Sequence, residues 1–330
     1  MKRLLLTPFI FLFAISLQAQ DIHFSQFFSI PSLVNPAKVG LFNGNYRFNA
    51  IYRNQWKSIT TPYETGDVSC ELSMASGKAH TNIAGFGLTL GSDKAGDSKL
   101  TTSKIVAAFA YHASLDRLGE QHISFGLQAG MNSSFMDYSA LRFDEQFQGG
   151  GSTENFGFTS AKYFDFNSGL EYTYSRKRGN SFFVGSSIYH INTPIYSFMG
   201  NEEVRLDRKL MLNAGADINL TKRYFLYPRA FFGKQGPLTE LIFGMFGCVN
   251  LTPSTKQDTR FYLGTFYRLN DAFIGMVRMD IQQLSFAFSY DFNVSKLSAT
   301  SYAAGGPELS VTYKGIIPGV HHKNVNCPRF

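Results

Sequence analysis

Apolar and polar residues alternate along most of the chain. In the stretch LSFAFSYDF (284–292), every second residue from Leu284 is aromatic or aliphatic, and Ser, Ala or Asp occupies the positions between. A side-chain period of two belongs to a β-strand, whose successive side chains point to opposite faces. The pattern by itself leaves open whether the apolar row packs against a protein core or against lipid.

Similar segments recur from about residue 45 to residue 314, separated by turn residues. We count about 14 strands of roughly 8–12 residues, which is the length that a tilted transmembrane strand needs. No helical period extends over more than about two turns. Two strands are weakly defined: residues 223–233 contain Pro228, which has no N–H for a central ladder, and residues 181–191 carry Phe and Val on both faces.

The lengths of the predicted connections distinguish lipid from a protein core. If the chain starts and ends in the periplasm, most of the longer connections fall on the outer side, as in outer-membrane barrels. These longer connections are predicted at about 55–66, 92–99, 132–160, 191–207 and 293–307. The predicted connections at 234–238, 250–257 and 269–271 depart from the rule. A β-sandwich gives no reason for such asymmetry, so we interpret the apolar rows as lipid-facing and the fold as an all-β transmembrane outer-membrane barrel.

The rows opposite the apolar ones contain Gly, Ser, Thr, Asn and occasional charged residues, which predicts a polar lumen. About 14 strands enclose more space than the side chains of an eight-stranded barrel can fill. We therefore expect the lumen to hold an inserted loop, the N-terminal segment or a partner.

The first residues have the pattern of a secretory signal peptide. Lys2 and Arg3 precede an apolar run from Leu4 to Leu17, and the small Ala19 marks the expected cleavage point. The run is shorter than the ~20 residues of a spanning helix. The expected organisation is therefore a signal peptide (1–19), an extended periplasmic or lumenal segment (20–44), the barrel (45–314) and a periplasmic tail (315–330).

The amino-acid composition limits the classes of partner that the protein is expected to bind. Aromatic residues make up 15% of the chain and charged residues only 17%, below the ~25% of ordinary domains. Lys and Arg outnumber Asp and Glu by 31 to 24, but the only dense basic run is residues 175–178, so nucleic acid is a poor partner. Cys70, Cys248 and Cys327 match no zinc or redox spacing.

Motifs for catalysis are scarce. The sequence has no G-x-S-x-G elbow and no phosphate-binding loop. The glycines of GFGLTLG (85–91) have the wrong spacing for a dinucleotide site, and His321 and His322 lack a third ligand at metal-binding spacing. His112 and His190 lie near strand ends, where a structural role is the expected one. We expect no enzyme activity, no cofactor and no metal.

Several short motifs, taken together, carry a resemblance to a known family. They are His23-Phe24-Ser25-Gln26-Phe27, Asn35-Pro36-Ala37 with Gly40, Tyr52-Arg53-Asn54-Gln55-Trp56, His190-Ile191-Asn192-Thr193-Pro194, Ser289-Tyr290-Asp291-Phe292-Asn293 and Cys327-Pro328-Arg329-Phe330. In this order they resemble the PorP/SprF family over essentially the whole mature chain. Lys38 departs from the family pattern, which more often has an aromatic or apolar residue there.

The resemblance implies an outer-membrane component of the type IX secretion system of Bacteroidetes-type bacteria. It implies, as partners, a secreted cargo such as a gliding adhesin, together with periplasmic and outer-membrane components of the same machine. The expected function is to bind, help export or anchor a secreted surface protein. The alternative is an outer-membrane porin or a transporter of hydrophobic solutes.

Candidate partner-binding residues come from two regions. Phe24, Gln26, Asn35 and Trp56 belong to the N-terminal motifs, which would either plug the lumen or reach the periplasm. Phe143, Phe147, Tyr196 and Phe198 belong to the predicted outer loops 132–160 and 191–207. Aromatic residues in exposed loops are suited to interface anchors, and the alternative is that they pack as a lid over the barrel mouth.

Overall fold

Each alternating segment of the sequence forms one strand of a closed antiparallel barrel, in a computed structural model of the chain. The structure describes residues 21, 23–55, 61–76, 81–96, 98–138, 141, 159–176, 179–198, 203–253, 258–294 and 304–318. The strands are β1 Tyr46–Gln55, β2 Tyr63–Ser76, β3 Asn82–Ala95, β4 Leu100–Ser114, β5 Gln121–Phe135, β6 Ser160–Ser175, β7 Ser181–Tyr189, β8 Lys209–Asn219, β9 Tyr224–Gln235, β10 Leu238–Asn250, β11 Thr259–Arg268, β12 Ala272–Ile281, β13 Leu284–Asn293 and β14 Ala304–Gly315. The predicted fold and strand number are confirmed.

The barrel closes between its first and last strands. Each strand pairs with the next in sequence, and β1 pairs with β14 from Tyr46 opposite Gly315 to Arg53 opposite Glu308. Closure leaves no sheet edge with unpaired backbone groups, which is the condition for a sheet to span hydrocarbon. Across the part of the chain that the structure describes, no helix is both long enough and apolar enough to cross a membrane.

The apolar rows face outward. Leu284, Phe286, Phe288 and Phe292 are 38–49% exposed, whereas the intervening Asp291 is buried toward the lumen. Other strands also carry exposed apolar rows, for example Phe86, Leu88 and Leu90 in β3. An outward band of exposed Phe, Leu, Ile and Met around a closed barrel is the surface that lipid covers. The apolar row of 284–292 therefore faces lipid and not a protein core.

The two ends of the barrel differ. The longest connections, 136–159 and 190–208, lie at the same end, which we call the long-loop end. At the other end, the short-turn end, β1 begins, β14 ends and β12 joins β13 through residues 282–283 alone. The connection predicted at 92–99 was too long: it is only 96–99, because β3 and β4 continue pairing as far as Ala95 and Leu100.

Pro228 lies inside β9, in a strand that the sequence pattern defined weakly. The pairing of β9 with β8 passes from Arg229 opposite Gly215 to Leu226 opposite Ile218 and omits Pro228. Proline has no N–H to donate, and the carbonyl of Ala216 instead accepts a hydrogen bond from Arg229 Nη1 at 2.5 Å. An arginine side chain thus replaces a backbone donor in the ladder.

The lumen is not uniformly polar, contrary to the prediction. Its polar half consists of the inward rows of β13, β14 and β1–β6, which are rich in Ser, Asn, Gln, Asp and Glu. Its apolar half consists of the inward rows of β9–β12 and contains Tyr227, Phe231, Ile242, Phe246, Tyr262, Phe266, Ile274 and Met276. In these strands apolar residues occupy both faces, so alternation in the sequence is weak.

Residue 21 and residues 23–44, which together we call the lumenal segment, occupy the lumen. Asp21 lies at the long-loop end, where its N–H donates to Gln235 at the end of β9. The chain then forms two short 3₁₀ helices, Pro31–Leu33 and Pro36–Lys38, and Asn45 donates to the carbonyl of Gly315 at the short-turn end. Of the three predicted occupants, the N-terminal segment is the one found. It traverses the barrel before β1 begins.

Candidate functional site

The lumenal segment and its contacts with the wall form the most extensive polar site among the described residues. Near the long-loop end, the backbone N–H groups of Ser25 and Gln26 donate to the two carboxylate oxygens of Glu308, at 2.7 and 2.9 Å. Ser25 Oγ donates to Asp291 Oδ2 at 2.7 Å, and Gln26 Nε2 donates to Ser289 Oγ at 3.1 Å. Two acidic side chains of β13 and β14 thus bind the start of the segment.

Two arginines neutralise these buried acids. Arg53 on β1 lies 3.2 Å from Asp291 and 3.3 Å from Glu308, and it also donates to the carbonyl of His23. Arg268 on β11 lies 3.2 Å from Asp291 and donates to Ser25 Oγ. Buried charges are tolerated only when they are paired and hydrogen-bonded. The segment is therefore part of an ion-pair network that links four strands of the wall.

The next two residues of the segment bind the apolar half. The Phe28 ring contacts those of Phe246 and Phe266, with centroids 5.3 and 6.2 Å away. The Phe27 ring stacks on that of Phe231 at 5.6 Å. Offset and edge-on ring contacts in this range are favourable beyond the burial of apolar area. Phe27 and Phe28 therefore anchor the segment to β9, β10 and β11.

Asn35 fixes the turn at the middle of the segment. Its Oδ1 accepts from Ala37 N–H at 2.9 Å and so caps the second 3₁₀ helix. Its Nδ2 donates to the carbonyl of Leu170 at 3.0 Å and lies 3.2 Å from Asn213 Oδ1. One side chain thus joins the turn to β6 and β8 on opposite sides of β7.

Glycines in the wall make room for this turn. A Cβ on Gly85 would lie 2.0 Å from the carbonyl oxygen of Val39, and one on Gly126 would lie 2.2 Å from the carbonyl carbon of Pro36. A Cβ on Gly169 would lie 2.0 Å from Asn35 Oδ1. Real Cβ atoms do not approach other atoms so closely. The glycines of β3 and β5 therefore permit close approach of the segment's backbone, and Gly169 of β6 leaves room for the Asn35 side chain.

Lys38, the departure from the family pattern, has a specific environment. Its Nζ lies 2.7 Å from Glu171 Oε2 and 3.7 Å from the centroid of the Phe183 ring. Glu171 also accepts from Asn213 Nδ2 at 2.8 Å. The lysine ammonium is thus paired with a carboxylate and also lies over an aromatic ring, in a cation–π contact.

His190 holds the start of the segment at the long-loop end. Its Nδ1 lies 2.9 Å from Asp165 Oδ1 and its Nε2 lies 2.8 Å from Asp21 Oδ2, so the protonated ring donates to both. Burial lowers the pKa of His190. The hydrogen bonds to Asp165 and Asp21 and the charges of these carboxylates have a larger opposite effect, and together they raise the pKa to about 9. Burial also raises the pKa of Asp21, yet nearby Lys209 and His190 hold it well below its usual range.

The motif that contains His190 has a structural explanation. His190 adopts a φ of 56° directly after β7, and Thr193 adopts 42°, so the chain turns sharply there. Asn192 then accepts from the N–H of Phe166 at 3.2 Å and donates to the carbonyl of Phe164 at 2.8 Å. The side chain of Asn192 thereby continues the pairing to β6 beyond the end of β7.

The connection 190–208 carries an aromatic surface. Ile195 forms an isolated bridge with Arg205, and Tyr196 N–H donates to the carbonyl of Val204 at 2.9 Å. The Tyr196 ring contacts that of Phe198 at 5.8 Å. It also contacts the ring of Tyr163 on β6 at 5.7 Å. Tyr196 and Phe198 are partly exposed. The structure thus brings these two candidate residues together.

The other candidate residues are distributed differently. Phe24, Gln26 and Asn35 are buried in the lumen, where their contacts are with the barrel wall. Trp56, Phe143 and Phe147 lie outside the described residues. The sequence did not single out His190, Glu308, Asp291 or the wall glycines as contacts of the segment. Only the quoted motifs, which include His190 and Asp291, carried a signal for them.

A closed barrel with an outward apolar band and an occupied lumen defines the class: an integral outer-membrane protein. Two solved structures are similar. The Ralstonia pickettii toluene transporter TbuX has 12% sequence identity and a TM-score of 0.51, covering 86% of this chain and 93% of that one. The P. putida toluene transporter TodX has 10% identity and a TM-score of 0.51, covering 88% and 94%. At this identity the similarity shows the fold alone.

The family is established by sequence. The sequence model of the type IX secretion system membrane protein PorP/SprF matches residues 16–313, and the chain belongs to this family. Among curated proteins, none matches the chain significantly. The family and the fold together place the protein in the outer membrane as a component of type IX secretion.

Proposed function

We propose that the protein receives or retains a secreted surface protein, such as an adhesin, at its long-loop end. It works there as an accessory of the type IX secretion machine, together with periplasmic and outer-membrane components of that machine. Membership of the PorP/SprF family supports the link to secretion. The observation that carries the proposal is that the protein's own lumenal segment occupies the lumen.

The occupied lumen supports a receiver and not a conduit. The segment contacts β14 through Ser25, β6 through Asn35 and β4 through Val39, whose carbonyl lies 2.8 Å from His112 Nε2. From these contacts with several sides of the wall we infer that a cargo does not pass beside the segment. The cavity between Phe28, Val34 and Phe183 has room for about one water-sized molecule. The protein would then bind its cargo at an exposed surface outside the lumen.

The connection 190–208 is the proposed docking surface. Tyr196 and Phe198 supply aromatic rings, Val204 is exposed, and Arg205 lies at the bridge. Aromatic and arginine side chains are the residues that most often dominate binding energy at interfaces. The turn at His190 and Asn192 ties this connection to the wall, so the surface is held in place before a partner binds.

The test compares two double variants in the native host. Tyr196→Ala with Phe198→Ala removes the proposed anchors, and Tyr290→Ala with Phe292→Ala removes an aromatic pair with centroids 4.9 Å apart on the lipid face. We expect the first variant to lose cross-links from 190–208 to a secreted protein and to release that protein into the medium. We expect the second variant to keep the cross-links and the surface retention of the secreted protein at the wild-type level.

The same purified proteins are placed in planar bilayers. We expect wild-type protein to show no steady conductance above background. A stable open channel, combined with unchanged surface retention in both variants, would overturn the proposal in favour of a porin or solute transporter.

A further inference from the structure

Two neighbouring turns at the short-turn end form one surface. β6 joins β7 through residues 176–180, and β8 joins β9 through residues 220–223. Asn219 N–H donates to Asn180 Oδ1 at 2.9 Å, and Asn219 Nδ2 donates to the carbonyl of Gly179 at 2.6 Å. These bonds fix the two turns against each other. We call this surface the basic ledge, because it carries Arg176, Lys222 and Arg223.

The cations of the basic ledge have no acidic partner in the described part of the chain. Arg176, Lys222 and Arg223 are all exposed. The ion pairs of the described residues engage other cations, such as Arg47 with Glu71, Arg229 with Asp217 and Arg278 with Asp280. Lumenal arginines are thus compensated within the protein, whereas the ledge cations are exposed and available to pair with an external anion.

Aromatic side chains lie directly beside the ledge on the lipid-facing surface. The Phe182 ring contacts the rings of Tyr172 and Tyr174, at 6.0 and 5.5 Å. The guanidinium of Arg223 lies 5.9 Å from the Tyr224 ring centroid, and Tyr224 is half exposed. Tyrosines at strand ends mark the level of the lipid headgroups. The cations next to them therefore lie at the depth of lipid phosphates.

We propose that the basic ledge binds the phosphate groups of anionic phospholipids in the leaflet at the short-turn end. Arginine recognises phosphate through paired N–H donors, and lysine adds a point charge. Clustered cations beside a membrane surface are attracted to anionic lipid, and salt screens the attraction. The continuity of the ledge with the aromatic band favours a lipid over a soluble anion. The inference is independent of the proposed function.

The test measures lipid binding to the full-length mature protein in detergent. The variant carries Arg176→Gln, Lys222→Gln and Arg223→Gln. The matched control carries Lys94→Gln, Lys99→Gln and Lys162→Gln, which removes three exposed cations at the long-loop end. Heat-modifiable migration on a gel verifies that both variants fold. Native mass spectrometry then counts bound dioleoyl-phosphatidylglycerol and dioleoyl-phosphatidylcholine at increasing lipid concentration.

We expect wild-type protein and the control to bind phosphatidylglycerol at least fivefold more tightly than phosphatidylcholine. The ledge variant loses that preference, and raising the salt from 50 to 500 mM weakens it in the wild type. Equal binding of both lipids by the wild type, or an unchanged preference in the ledge variant, would overturn the proposal. So would complete displacement of the lipid by inorganic phosphate at equal concentration.

Discussion

The two halves of the lumen hold the same segment by different physical means. In the polar half, Glu308 and Asp291 bind Ser25 and Gln26 through charge-assisted hydrogen bonds. In the apolar half, aromatic rings of β10 and β11 contact Phe28, and a ring of β9 contacts Phe27. A hydrogen bond to a charged group contributes about 1.5–3 kcal/mol, and burial of a Phe side chain contributes about 1.5–3 kcal/mol.

The difference lies in directionality. Hydrogen bonds to a carboxylate require defined distances and angles, so the polar half fixes the register of the segment along the barrel. Apolar burial is non-directional, so the apolar half stabilises the segment without specifying its position. The sequence Ser25-Gln26-Phe27-Phe28 places both kinds of residue side by side. Four consecutive residues of the segment therefore contact both the polar half and the apolar half of the lumen.

Breaking the polar half has the largest expected effect. Arg53→Met leaves Asp291 and Glu308 with one fewer cation and removes the donor to His23. Removing one partner of a buried ion pair costs about 3–5 kcal/mol, and we expect about 5 kcal/mol because two carboxylates are affected. Urea unfolding from phospholipid vesicles measures the loss.

The charge origin of this loss has its own signature. We expect Arg53→Lys, which keeps a positive charge beside Asp291 and Glu308 but lacks the guanidinium fork, to recover part of the loss. A loss for Arg53→Lys as large as that for Arg53→Met would contradict the electrostatic explanation. Arg117→Met, at an exposed turn position, serves as the control and changes little.

Breaking the apolar half has the next largest effect. Phe28→Ala removes ring contacts with Phe246 and Phe266 and leaves a void in the lumen. Such truncations cost about 3–5 kcal/mol, and we expect about 4 kcal/mol with no dependence on pH or salt. Phe28→Leu, which keeps most of the apolar volume, is expected to cost about 1–2 kcal/mol. A salt-dependent loss for Phe28→Ala would show that the two halves are not separable.

The contact of His190 with Asp21 has the smallest expected effect and a defined pH window. The folded-state pKa of His190 is about 9, above its ordinary value of 6.5. The protonated form is therefore favoured by folding, and its contribution is fully present below pH 6.5 and is lost as the pH rises to about 9. The shift corresponds to about 3 kcal/mol. Cleavage of the segment by an added protease should increase across this window.

His190→Gln tests the assignment. Glutamine keeps a donor but does not titrate, so the variant should show the same rate of cleavage at pH 6.5 and pH 9. A wild-type rate that stays constant from pH 6 to pH 9.5 would show that His190 does not control the release of Asp21.

The strands were predictable because alternation with a period of two is a local property of the sequence. The outward row from Leu284 to Phe292 is visible without any knowledge of the neighbouring strands. The prediction of strands was weakest where residues distant in the sequence decide the structure. In β9, Pro228 and an apolar inward row mask the alternation, and the side chain of Arg229 supplies the missing donor. At residues 92–99, pairing between β3 and β4 extends the strands through a stretch that reads as a loop.

The candidate site was predictable only in part. The N-terminal motifs pointed to Gln26 and Asn35, and the aromatic content of 191–207 pointed to Tyr196 and Phe198. The sequence provided no means of telling that the first two are buried against the wall and the last two contact each other. Their partners lie far away in sequence, and the contacts exist only once the barrel is closed.

By itself the sequence determined the all-β barrel, the number of strands and the face that meets lipid, because each depends on residues close together in the chain. Only the tertiary structure decided what fills the lumen and which wall residues hold it. Ser25 contacts Glu308 across 283 positions of sequence, and Gly126 of β5 leaves room for Pro36 of the lumenal segment. Closure of the barrel brings these residues together, and no local pattern encodes that geometry.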